Sequence, residues 1–405
     1  MTSGTDRRPA ANGRREPTGL PAAGRPLRVG VVSDCYVPRL GGIEMQAHDL
    51  ARNLRLAGHD VVAVTPTPGP AEVDGVRVRR MDVPLLPFDI PFMPSTFRMV
   101  TDLLLEEQVD VAHIHGGIAS PMAYAAARRC QALGIPTVIT VHCMWSYATP
   151  MFAVLDKLSG WSRWPVVLSA VSDVAAQPIR RIAGPSRPVV VLPNGIDDDA
   201  WRIEPSSHDP SVVTLVSVMR LAPRKRPLQM LKMVRRVHEA LPSDLRLRVI
   251  VIGDGPERPQ LEKYLRTHRL EGVVQLVGRR TRDEIRGLFA DADVFVAPAN
   301  LESFGIAALE ARCAGLPVVA KERTGIREFV EHGREGLLAT TDRDMVEQLT
   351  RIVRDRELRL VIAKNNRETS SPVDWSVVVE RNVAAYRDAI RLAGSARSAV
   401  GARRG

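Results

Sequence analysis

Short, almost wholly apolar segments recur along this chain and alternate with segments of helix length. The first, LRVGVVS at residues 27–33, has no polar alternation, which is typical of a strand buried on both faces of a sheet. A glycine-containing loop leads to residues 43–54, where apolar side chains recur at helical spacing, and Gly58 separates that helix from a second apolar segment at residues 61–65. Strands joined through helices pair in parallel, so this order predicts a parallel sheet covered by helices on both faces.

The alternation runs through the chain in two stretches, separated by the polar segment EPSSHDPS at residues 204–211. Further strands are predicted at residues 109–116, 137–142, 165–172 and 188–195 before it, and at residues 212–218, 246–253, 272–278, 292–298 and 316–320 after it. A chain of 405 residues, 45% of them hydrophobic, is long enough for two cores. We therefore predict an α/β protein of two doubly wound, Rossmann-like domains, residues 27–200 and residues 201–375, that face a central cleft.

Basic residues are concentrated at the two ends of the chain. The formal net charge is +10, and residues 1–26 and 391–405, with nine arginines and two acids between them, hold seven of those ten charges. We predict that both ends are disordered basic tails, and their arginines leave weak contact with an anionic membrane open. The body between them is close to neutral, which argues against a nucleic-acid-binding face.

The sequence offers no signal of secretion or of metal binding. No apolar segment follows the N-terminal arginines, so we predict a cytoplasmic protein, with peripheral contact at the inner membrane face left open. The four cysteines lack the paired spacing of a metal site and are expected to be reduced thiols. The aspartates at residues 197–199 and 291–293 border predicted elements, where turn-forming aspartates are common. We therefore predict no metal ion and no cofactor.

Polar residues and glycines follow several predicted strands. Because ligands of doubly wound domains bind at the carboxyl ends of strands, His115, His142 and Asn194 are candidate site residues. Gly42 precedes the first helix, and Gly253 opens the loop GDGP. Each glycine either brings backbone N–H groups to a phosphate or forms an ordinary tight turn, and the sequence around it does not decide between the two.

Two cations, Arg220 and Lys225, come directly after the strand at residues 212–218. Fixed positive charges at the mouth of a strand suit a diphosphate, whose charge must be stabilised as it departs from a substrate. The alternative is a solvated basic loop. The location at a strand end favours the functional role.

The segment ANLESFGIAALEARCAGLPVVA at residues 299–320 places two acids in an otherwise apolar stretch. Glu302 falls in the loop after a predicted strand, and Ser303 is the predicted N-cap of a helix over about residues 305–314. Glu310 lies on that helix, which is apolar almost all round, so its ionised form costs several kcal/mol unless it has partners. Those partners are either the two hydroxyls of a ribose or a buried arginine, and the spacing leaves both open.

Taken together, the motifs resemble the family 4 glycosyltransferases of the GT-B fold over about residues 27–390. The motifs are GGIE, HIHG, TVH, VLPNGID, the Arg220 and Lys225 pair, GDGP and ESFGIAALEARCAGLPVV. The resemblance implies retaining transfer of a hexosyl group (glucosyl, mannosyl or N-acetylglucosaminyl) from a nucleoside diphosphate sugar to an acceptor hydroxyl, without a metal ion. It places the donor nucleotide in the C-terminal domain and the acceptor mostly in the N-terminal domain. A terminal helix at about residues 376–390 would cross back to the N-terminal domain.

The resemblance also implies roles for individual residues. Glu302 would contact the donor sugar and Glu310 the ribose, while Arg220 and Lys225 would neutralise the diphosphate. His142 would lie near the sugar, and with Glu302, Arg220 and Lys225 it makes up the predicted catalytic set. The remaining donor contacts would come from Gly42, Gly253, Arg279, Phe304, Gly305 and Ile306.

The chain departs from the family pattern at three places that bear on phosphate contacts and donor choice. Arg226 replaces the glycine that often follows the lysine, Met219 replaces the glycine before the arginine, and RTGIRE at residues 323–328 has one glycine and no proline. Two other activities stay open: a nucleotide-sugar epimerase or hydrolase of the same fold, and a non-catalytic nucleotide-sugar-binding protein.

The acceptor, a small molecule, a glycan or a lipid, is the least readable partner. The proline-broken apolar segment at residues 82–97 is either a lipid- or membrane-contacting surface or a segment folded over the cleft.

Overall fold

The computed structural model describes residues 25–39, 41–86, 90–91, 94–118, 120–207 and 209–401. Their strands are β1 (Arg28–Ser33), β2 (Asp60–Thr65), β3 (Glu72–Val73), β4 (Val76–Arg80), β5 (Leu85–Leu86), β6 (Ile90–Pro91), β7 (Val111–Gly116), β8 (Thr137–Val141), β9 (Val167–Ala170), β10 (Val189–Val191), β11 (Val212–Val218), β12 (Arg246–Ile252), β13 (Val274–Gly278), β14 (Val294–Ala297), β15 (Val318–Lys321) and β16 (Gly336–Ala339).

In the part of the chain that the structure describes, these strands form two large sheets and a short hairpin. The first sheet has the order β10-β9-β8-β7-β1-β2-β4-β3, and the second has the order β13-β12-β11-β14-β15-β16. All neighbours pair in parallel except β3 with β4 and, in the hairpin, β5 with β6. The predicted fold class of two doubly wound α/β domains is confirmed.

Helices cover both sheets. They are α1 (Gly42–Leu56), α2 (Pro94–Glu106), α3 (Pro121–Ala132), α4 (Thr149–Ser159), α5 (Asp173–Ala183), α6 (Asp198–Trp201), α7 (Pro227–Glu239), α8 (Arg258–His268), α9 (Arg282–Ala290), α10 (Ile306–Cys313), α11 (Asp342–Arg354), α12 (Arg356–Glu368) and α13 (Trp375–Gly401). Local chemistry sets several starts: Ser172 caps α5 through the Ala175 N–H, and Thr281 with Glu284 forms a capping box on α9. Three 3-10 helices span Trp161–Arg163, Pro223–Lys225 and Gly325–Glu328.

The strand order of each sheet reverses at a central strand. In the first sheet β1 lies between β7 and β2, and in the second β11 lies between β12 and β14. A crevice opens at such a reversal because the connections on its two sides leave in opposite directions. The loops after β1, β7 and β8 therefore face the site from one half of the molecule, and the loops after β11 and β14 face it from the other.

The last helix joins the two halves and corrects one prediction. α13 packs on the first sheet, and the Tyr386 hydroxyl hydrogen-bonds the His113 ring at 2.8 Å. The helix continues to Gly401, so residues 391–401 are helical where the sequence predicted a disordered tail. Alanine-rich sequence favours helix once the preceding turns are docked. Arg397 also donates to the carbonyl of Gly134 at 2.6 Å, which fixes the added turns to the end of α3.

Other contacts cross directly between the halves. Ser172 Oγ donates to the carbonyl of Ser303 at 2.6 Å, and the Asp173 N–H donates to Glu328 Oε1 at 2.6 Å. Within the described ranges, no helix is both long and apolar enough to span a bilayer. Of the apolar segment predicted at residues 82–97, Phe88, Phe92 and Met93 lie outside the described residues.

Candidate active site

Lys225 and Glu302 form an ion pair at the carboxyl end of the second sheet. Lys225 ends the 3-10 helix that follows β11, and Glu302 lies in the loop that follows β14. Because β11 and β14 are parallel neighbours, the two loops emerge side by side. Lys225 Nζ donates to Glu302 Oε2 at 2.5 Å, and the side chains are 25% and 18% exposed. The pair is therefore held in place and still accessible to a ligand.

Arg226 anchors the loop after β11. Its φ of 60° lies in the left-handed region, which suits glycine and costs another residue about 1 kcal/mol. The guanidinium donates to both carboxylate oxygens of Asp342, at 2.9 and 2.6 Å, and to the side-chain oxygen of Asn300 at 3.0 Å. Hydrogen bonds from Arg226, and then from Lys321, hold the pKa of Asp342 well below its usual value. The arginine thus ties the loop after β11 to the loop after β14.

Arg220 and Arg279 project as exposed side chains. Arg220 follows the end of β11 at Val218, and Arg279 follows the end of β13 at Gly278. Within the described ranges, neither guanidinium forms a hydrogen bond or an ion pair, so the structure does not link Arg220 to Lys225. Both cations remain available to a ligand.

The loop GDGP packs against the loop that carries Arg220. Gly253 has a φ of +128°, and a Cβ there would lie 1.9 Å from the carbonyl oxygen of Met219. A Cβ at Gly255 would likewise lie 2.4 Å from the carbonyl oxygen of Leu221. These glycines are required for close backbone approach between the two loops. Gly253 therefore has a structural role here, and its predicted contact with the donor stays a prediction.

The start of α10 differs from the sequence prediction. Ser303 is not the N-cap: Gly305 occupies that position with a φ of +93°, and the helix begins at Ile306. A Cβ at Gly305 would lie 2.6 Å from Ile326 Cγ1, so the tight left-handed turn takes precedence over a side-chain cap. Within the described residues, the N–H groups of Phe304, Gly305 and Ile306 donate no hydrogen bond. These three free donors indicate that an anion binds at the helix N-terminus.

Two residues next to this turn shape the site. Phe304 is fully buried against Phe329, with ring centroids 5.4 Å apart, so only its backbone can meet a ligand. On the opposite side of the cleft, a Cβ at Gly42 would lie 3.7 Å from Ile306 Cδ1. The structure thus brings Gly42, predicted from the first domain, to the N-terminus of α10.

Glu310 is a buried acid without a close partner. Its nearest cation is Arg282, whose Nε lies 4.0 Å from Glu310 Oε1, and that half-exposed arginine also reaches Asp49 on α1 at 3.4 Å. Within the described residues, the Glu310 carboxylate accepts no hydrogen bond. Burial raises its pKa to about 7, Arg282 lowers it and Asp49 raises it further. The buried arginine that would have made Glu310 structural is therefore absent from its described surroundings.

Three buried histidines cluster in the first domain, on β7 and at the carboxyl end of β8. His115 Nδ1 and His142 Nε2 are 2.8 Å apart, and the rings of His113 and His115 are 4.1 Å apart. Burial lowers the pKa of His142 to about 4 and that of His113 to about 3, and it also lowers the pKa of His115. All three rings are consequently neutral near pH 7, and one nitrogen of the His115–His142 contact donates while the other accepts.

A small cavity lies behind these rings. Its volume of about 20 Å³ suffices for one water molecule. His115 Nε2 and Asn382 Oδ1 are buried, have no hydrogen-bond partner and belong to residues that line this cavity, as does the predicted site residue Asn194. A water between them would connect α13 to His115 and through it to His142.

Sequence reasoning missed Asp342, Arg282, Asp49 and Asn382, and it identified Arg226 only as a departure from the family pattern. Their partners lie far apart along the chain, as with Arg226 and Asp342, and no local spacing signals such pairs. The departure at Arg226 was the one visible clue. Within the described ranges, no group of three or more His, Cys, Asp or Glu side chains is arranged to hold a metal ion, and the expected independence of metal and cofactor stays a prediction.

Comparisons with known proteins identify both halves of the chain. The model of Glycosyltransferase Family 4 matches residues 40–200, and the model of Glycosyl transferases group 1 matches residues 201–369. The gpi3 subunit of phosphatidylinositol N-acetylglucosaminyltransferase from Schizosaccharomyces pombe is 24% identical over 371 residues, covering 88% of this chain and 79% of the relative. The GDP-mannose-dependent alpha-mannosyltransferase of Mycobacterium tuberculosis is 26% identical over 400 residues, covering 90% of this chain and 97% of the relative.

Solved structures show the same fold. The structure of Anabaena Alr3699/HepE in complex with UDP-glucose has a TM-score of 0.66 and 18% identity, covering 93% of this chain and all of that chain. A glycosyltransferase from Rickettsia africae has a TM-score of 0.70 and 14% identity, covering 90% and 99%.

Proposed function

The chain belongs to the family 4 glycosyltransferases of the GT-B fold, and from that premise we propose that it transfers a hexosyl group from a nucleoside diphosphate sugar to an acceptor hydroxyl with retention of configuration. The observation that carries the proposal is Glu310, a buried carboxylate without a hydrogen bond, on the same side of the cleft as the Lys225–Glu302 ion pair. A vicinal diol supplies two donors to one carboxylate, and a nucleotide ribose carries such a diol.

The donor would extend along the start of α10. Glu302 lies in the loop before α10 and Glu310 lies about one turn into the helix, which suits a sugar at Glu302 and a ribose at Glu310. Between them, the free N–H groups of Phe304, Gly305 and Ile306 suit the diphosphate, since backbone donors and the helix dipole favour negative charge there.

Catalysis on this arrangement would be electrostatic. The bond between the anomeric carbon and the phosphate oxygen breaks, and Lys225 and Arg220 stabilise the charge that grows on the departing diphosphate. The acceptor oxygen bonds to the same face of the anomeric carbon and loses its proton to an oxygen of the diphosphate. Glu302 would bind a sugar hydroxyl while holding the Lys225 ammonium group in position. No step needs a protein nucleophile.

The first-domain histidines would complete the sugar pocket. His142 is neutral because burial lowers its pKa to about 4, so it would bind a sugar hydroxyl as a hydrogen-bonding group rather than as a cation. Its partner His115 fixes the ring by the 2.8 Å contact.

A lipid acceptor is favoured among the three classes left open by the sequence. Several relatives are phosphatidylinositol N-acetylglucosaminyltransferase subunits, and that name includes a lipid, phosphatidylinositol. For this chain, the proposal is a hydroxyl on a lipid-linked head group or glycan.

The test begins with the donor. Uridine, guanosine and adenosine diphosphate sugars are screened by thermal shift, and one base is expected to stabilise the protein above the others. The best donor is then incubated with lipid, glycan and small-molecule acceptors, and release of nucleoside diphosphate is measured with the anomeric configuration of the product. Turnover to free sugar or an epimer without an acceptor would favour a hydrolase or epimerase, and binding without turnover across all acceptors would favour a non-catalytic sensor.

A further inference from the structure

One helix of the first domain presents its apolar stripe to solvent. On α4, Met151, Val154, Leu155 and Leu158 follow the i, i+3, i+4, i+7 spacing of a single helix face, and they are 47%, 56%, 44% and 80% exposed. A stripe with this spacing normally packs on the core. Here Phe152 on the other side of the helix is the residue that faces the core. We call the four exposed residues the α4 stripe.

The rest of α4 is firmly packed, so the exposed stripe is a property of the fold and not of a loose segment. Phe152 stacks face to face on Trp145, with ring centroids 3.5 Å apart and planes 2° apart. Asp156 accepts hydrogen bonds from the N–H and the hydroxyl of Ser162, at 2.8 and 2.9 Å. Trp161 Nε1 donates to the carbonyl of Phe152 at 3.2 Å.

The charges beside the stripe are positive. Lys157 and Arg163 are exposed and form no ion pair within the described part of the chain. Asp156 is the one acid between residues 143 and 166, and its carboxylate is occupied by Ser162. The outward face therefore combines apolar side chains with unpaired cations, which complements an anionic lipid surface.

Aromatic residues flank α4 in the sequence. Tyr147, two residues before the helix, is 62% exposed, and Trp161 and Trp164, which pack partly on the core, follow the helix. Trp and Tyr rings favour the level of lipid head groups because one end of each ring system is apolar and the other is polar.

The area of the stripe argues against a second copy of this chain as its partner. An 11-residue helix is about 16 Å long and about 10 Å wide, which gives a face far smaller than the ~800 Å² per partner of a stable protein interface. A membrane needs no matching protein surface and accepts a small apolar face when cations add to the attraction.

We propose that the α4 stripe, with Lys157 and Arg163, docks this protein on a bilayer that contains anionic lipid. The helix begins seven residues after His142, at the carboxyl end of β8, so the docked surface adjoins the first-domain side of the cleft. A lipid acceptor in the bilayer would thereby lie next to the site. Docking itself does not depend on the proposed transfer reaction.

The test is co-sedimentation of the full chain with vesicles of phosphatidylcholine alone or with phosphatidylglycerol. Wild type is expected to bind the anionic vesicles, and the triple variant Val154→Ser, Leu155→Ser, Leu158→Ser should partition at least ~10-fold less, since apolar burial drives insertion. The matched control is Leu56→Ser, Leu360→Ser, Val361→Ser, whose side chains are 65%, 46% and 59% exposed elsewhere on the surface. The control should bind within about twofold of wild type.

A second variant separates charge from apolar insertion. Lys157→Ser with Arg163→Ser should weaken binding to the anionic vesicles several-fold and reduce its salt dependence, while binding to phosphatidylcholine alone stays as weak as in wild type. The proposal is overturned if wild type does not bind anionic vesicles, or if the triple variant binds them as well as the control does. It is also overturned if light scattering shows a dimer of wild type that the triple variant does not form. Donor binding is measured separately by the thermal shift that the donor produces, because α4 lies in the first domain and the proposed donor site lies in the second.

Discussion

The two sides of the cleft are built differently. On the side of the second sheet, charged groups are held by other charged groups: Glu302 holds Lys225, and Asp342 holds Arg226. On the side of the first sheet, the buried histidines are neutral and the adjoining α4 exposes apolar side chains. In the proposed reaction, the diphosphate of the donor requires positive groups that are already held in position, and a rigid loop supplies them. A lipid acceptor requires an apolar surface along which it can reach the site. The contrast predicts that substitutions on the two sides differ in size and in kind.

Removing the Lys225–Glu302 pair should have the largest effect. Lys225→Ala and Glu302→Gln should each lower the turnover rate by about 100- to 1000-fold, because each removes a group aimed at the charge or hydroxyls of the reacting donor. Lys364→Ala and Glu368→Gln are matched controls, since that pair lies 3.8 Å apart on the outer surface of α12. Steady-state kinetics and thermal melting of all four variants are measured. Wild-type turnover in Lys225→Ala and Glu302→Gln would contradict the assignment.

Substitutions at Arg226 should have an intermediate effect on turnover, about 10-fold, because they displace Lys225 without removing it. Arg226→Ala loses the Asp342 contact and keeps the left-handed backbone strain, whereas Arg226→Gly loses both. Arg226→Gly should therefore be about 1 kcal/mol more stable than Arg226→Ala in urea unfolding. In a cycle with Asp342→Asn, the loss in the double variant should be smaller than the sum of the single losses. Strict additivity would show that the pair does not act as a unit.

The ionised Glu310 carboxylate should lower the stability of the free protein and strengthen donor binding, and both effects should increase as the pH rises. Burial raises its pKa from 4.5 to about 7, so its contribution to the free energy of unfolding is full below pH 4.5 and is lost as the pH rises through 7. Glu310→Gln should become more stable than wild type across that window, by at most about 3 kcal/mol at pH 8.

The same variant should bind the donor about 10- to 100-fold less tightly, because an amide offers one acceptor where the carboxylate offers two. In wild type the KM for the donor should fall as the pH rises through about 7, since the ionised form is the one that accepts both ribose hydroxyls. The donor KM of Glu310→Gln should not change with pH in this range. Urea unfolding and donor KM between pH 5 and pH 8 measure both effects, and an unchanged slope would locate the titration elsewhere.

The smallest effect is expected on the first-domain side. His115→Ala should change turnover less than 10-fold, because His115 acts by orienting His142 through their 2.8 Å contact. Burial keeps both imidazoles neutral, with the pKa of His142 near 4, so the effect should be the same from pH 6 to pH 8. Asn382→Ala should produce a similar or smaller change if one water links it to His115. If His115→Ala lowered the turnover rate as much as Lys225→Ala does, the predicted difference between the two sides of the cleft would be wrong.

Much of the fold was predictable because its signals are local. Apolar segments of strand length separated by helical spacing predicted the alternation, and the helix predicted at about residues 305–314 is observed at Ile306–Cys313. The cap was wrong because Gly305 can take a left-handed turn against Ile326 that Ser303 cannot. The end of α13 was wrong because arginine content suggested disorder, whereas docking on α3 extends the helix.

What the sequence could not supply is the pairing of distant residues. The loop at Arg226 departs from the family pattern, and its meaning depends on Asp342, 116 residues away. The sequence left the partner of Glu310 open between a ribose and a buried arginine. In the described part of the chain its nearest cation is the half-exposed Arg282 at 4.0 Å, which argues against the buried arginine, and the ribose stays a proposal. α4 was not predicted, and the helical spacing of the α4 stripe would have placed that face against the core, whereas the structure exposes it.

The central claim, that the second half binds a nucleotide with its ribose on Glu310, is tested most directly by a calorimetric cycle. The preferred nucleoside diphosphate and its 2′,3′-dideoxy analogue are titrated into wild type and into Glu310→Ala. Loss of the two hydroxyls should weaken binding to wild type about 10- to 100-fold, as expected for hydrogen bonds to a charged group. The two nucleotides should bind Glu310→Ala equally. An equal loss in both proteins would contradict the account.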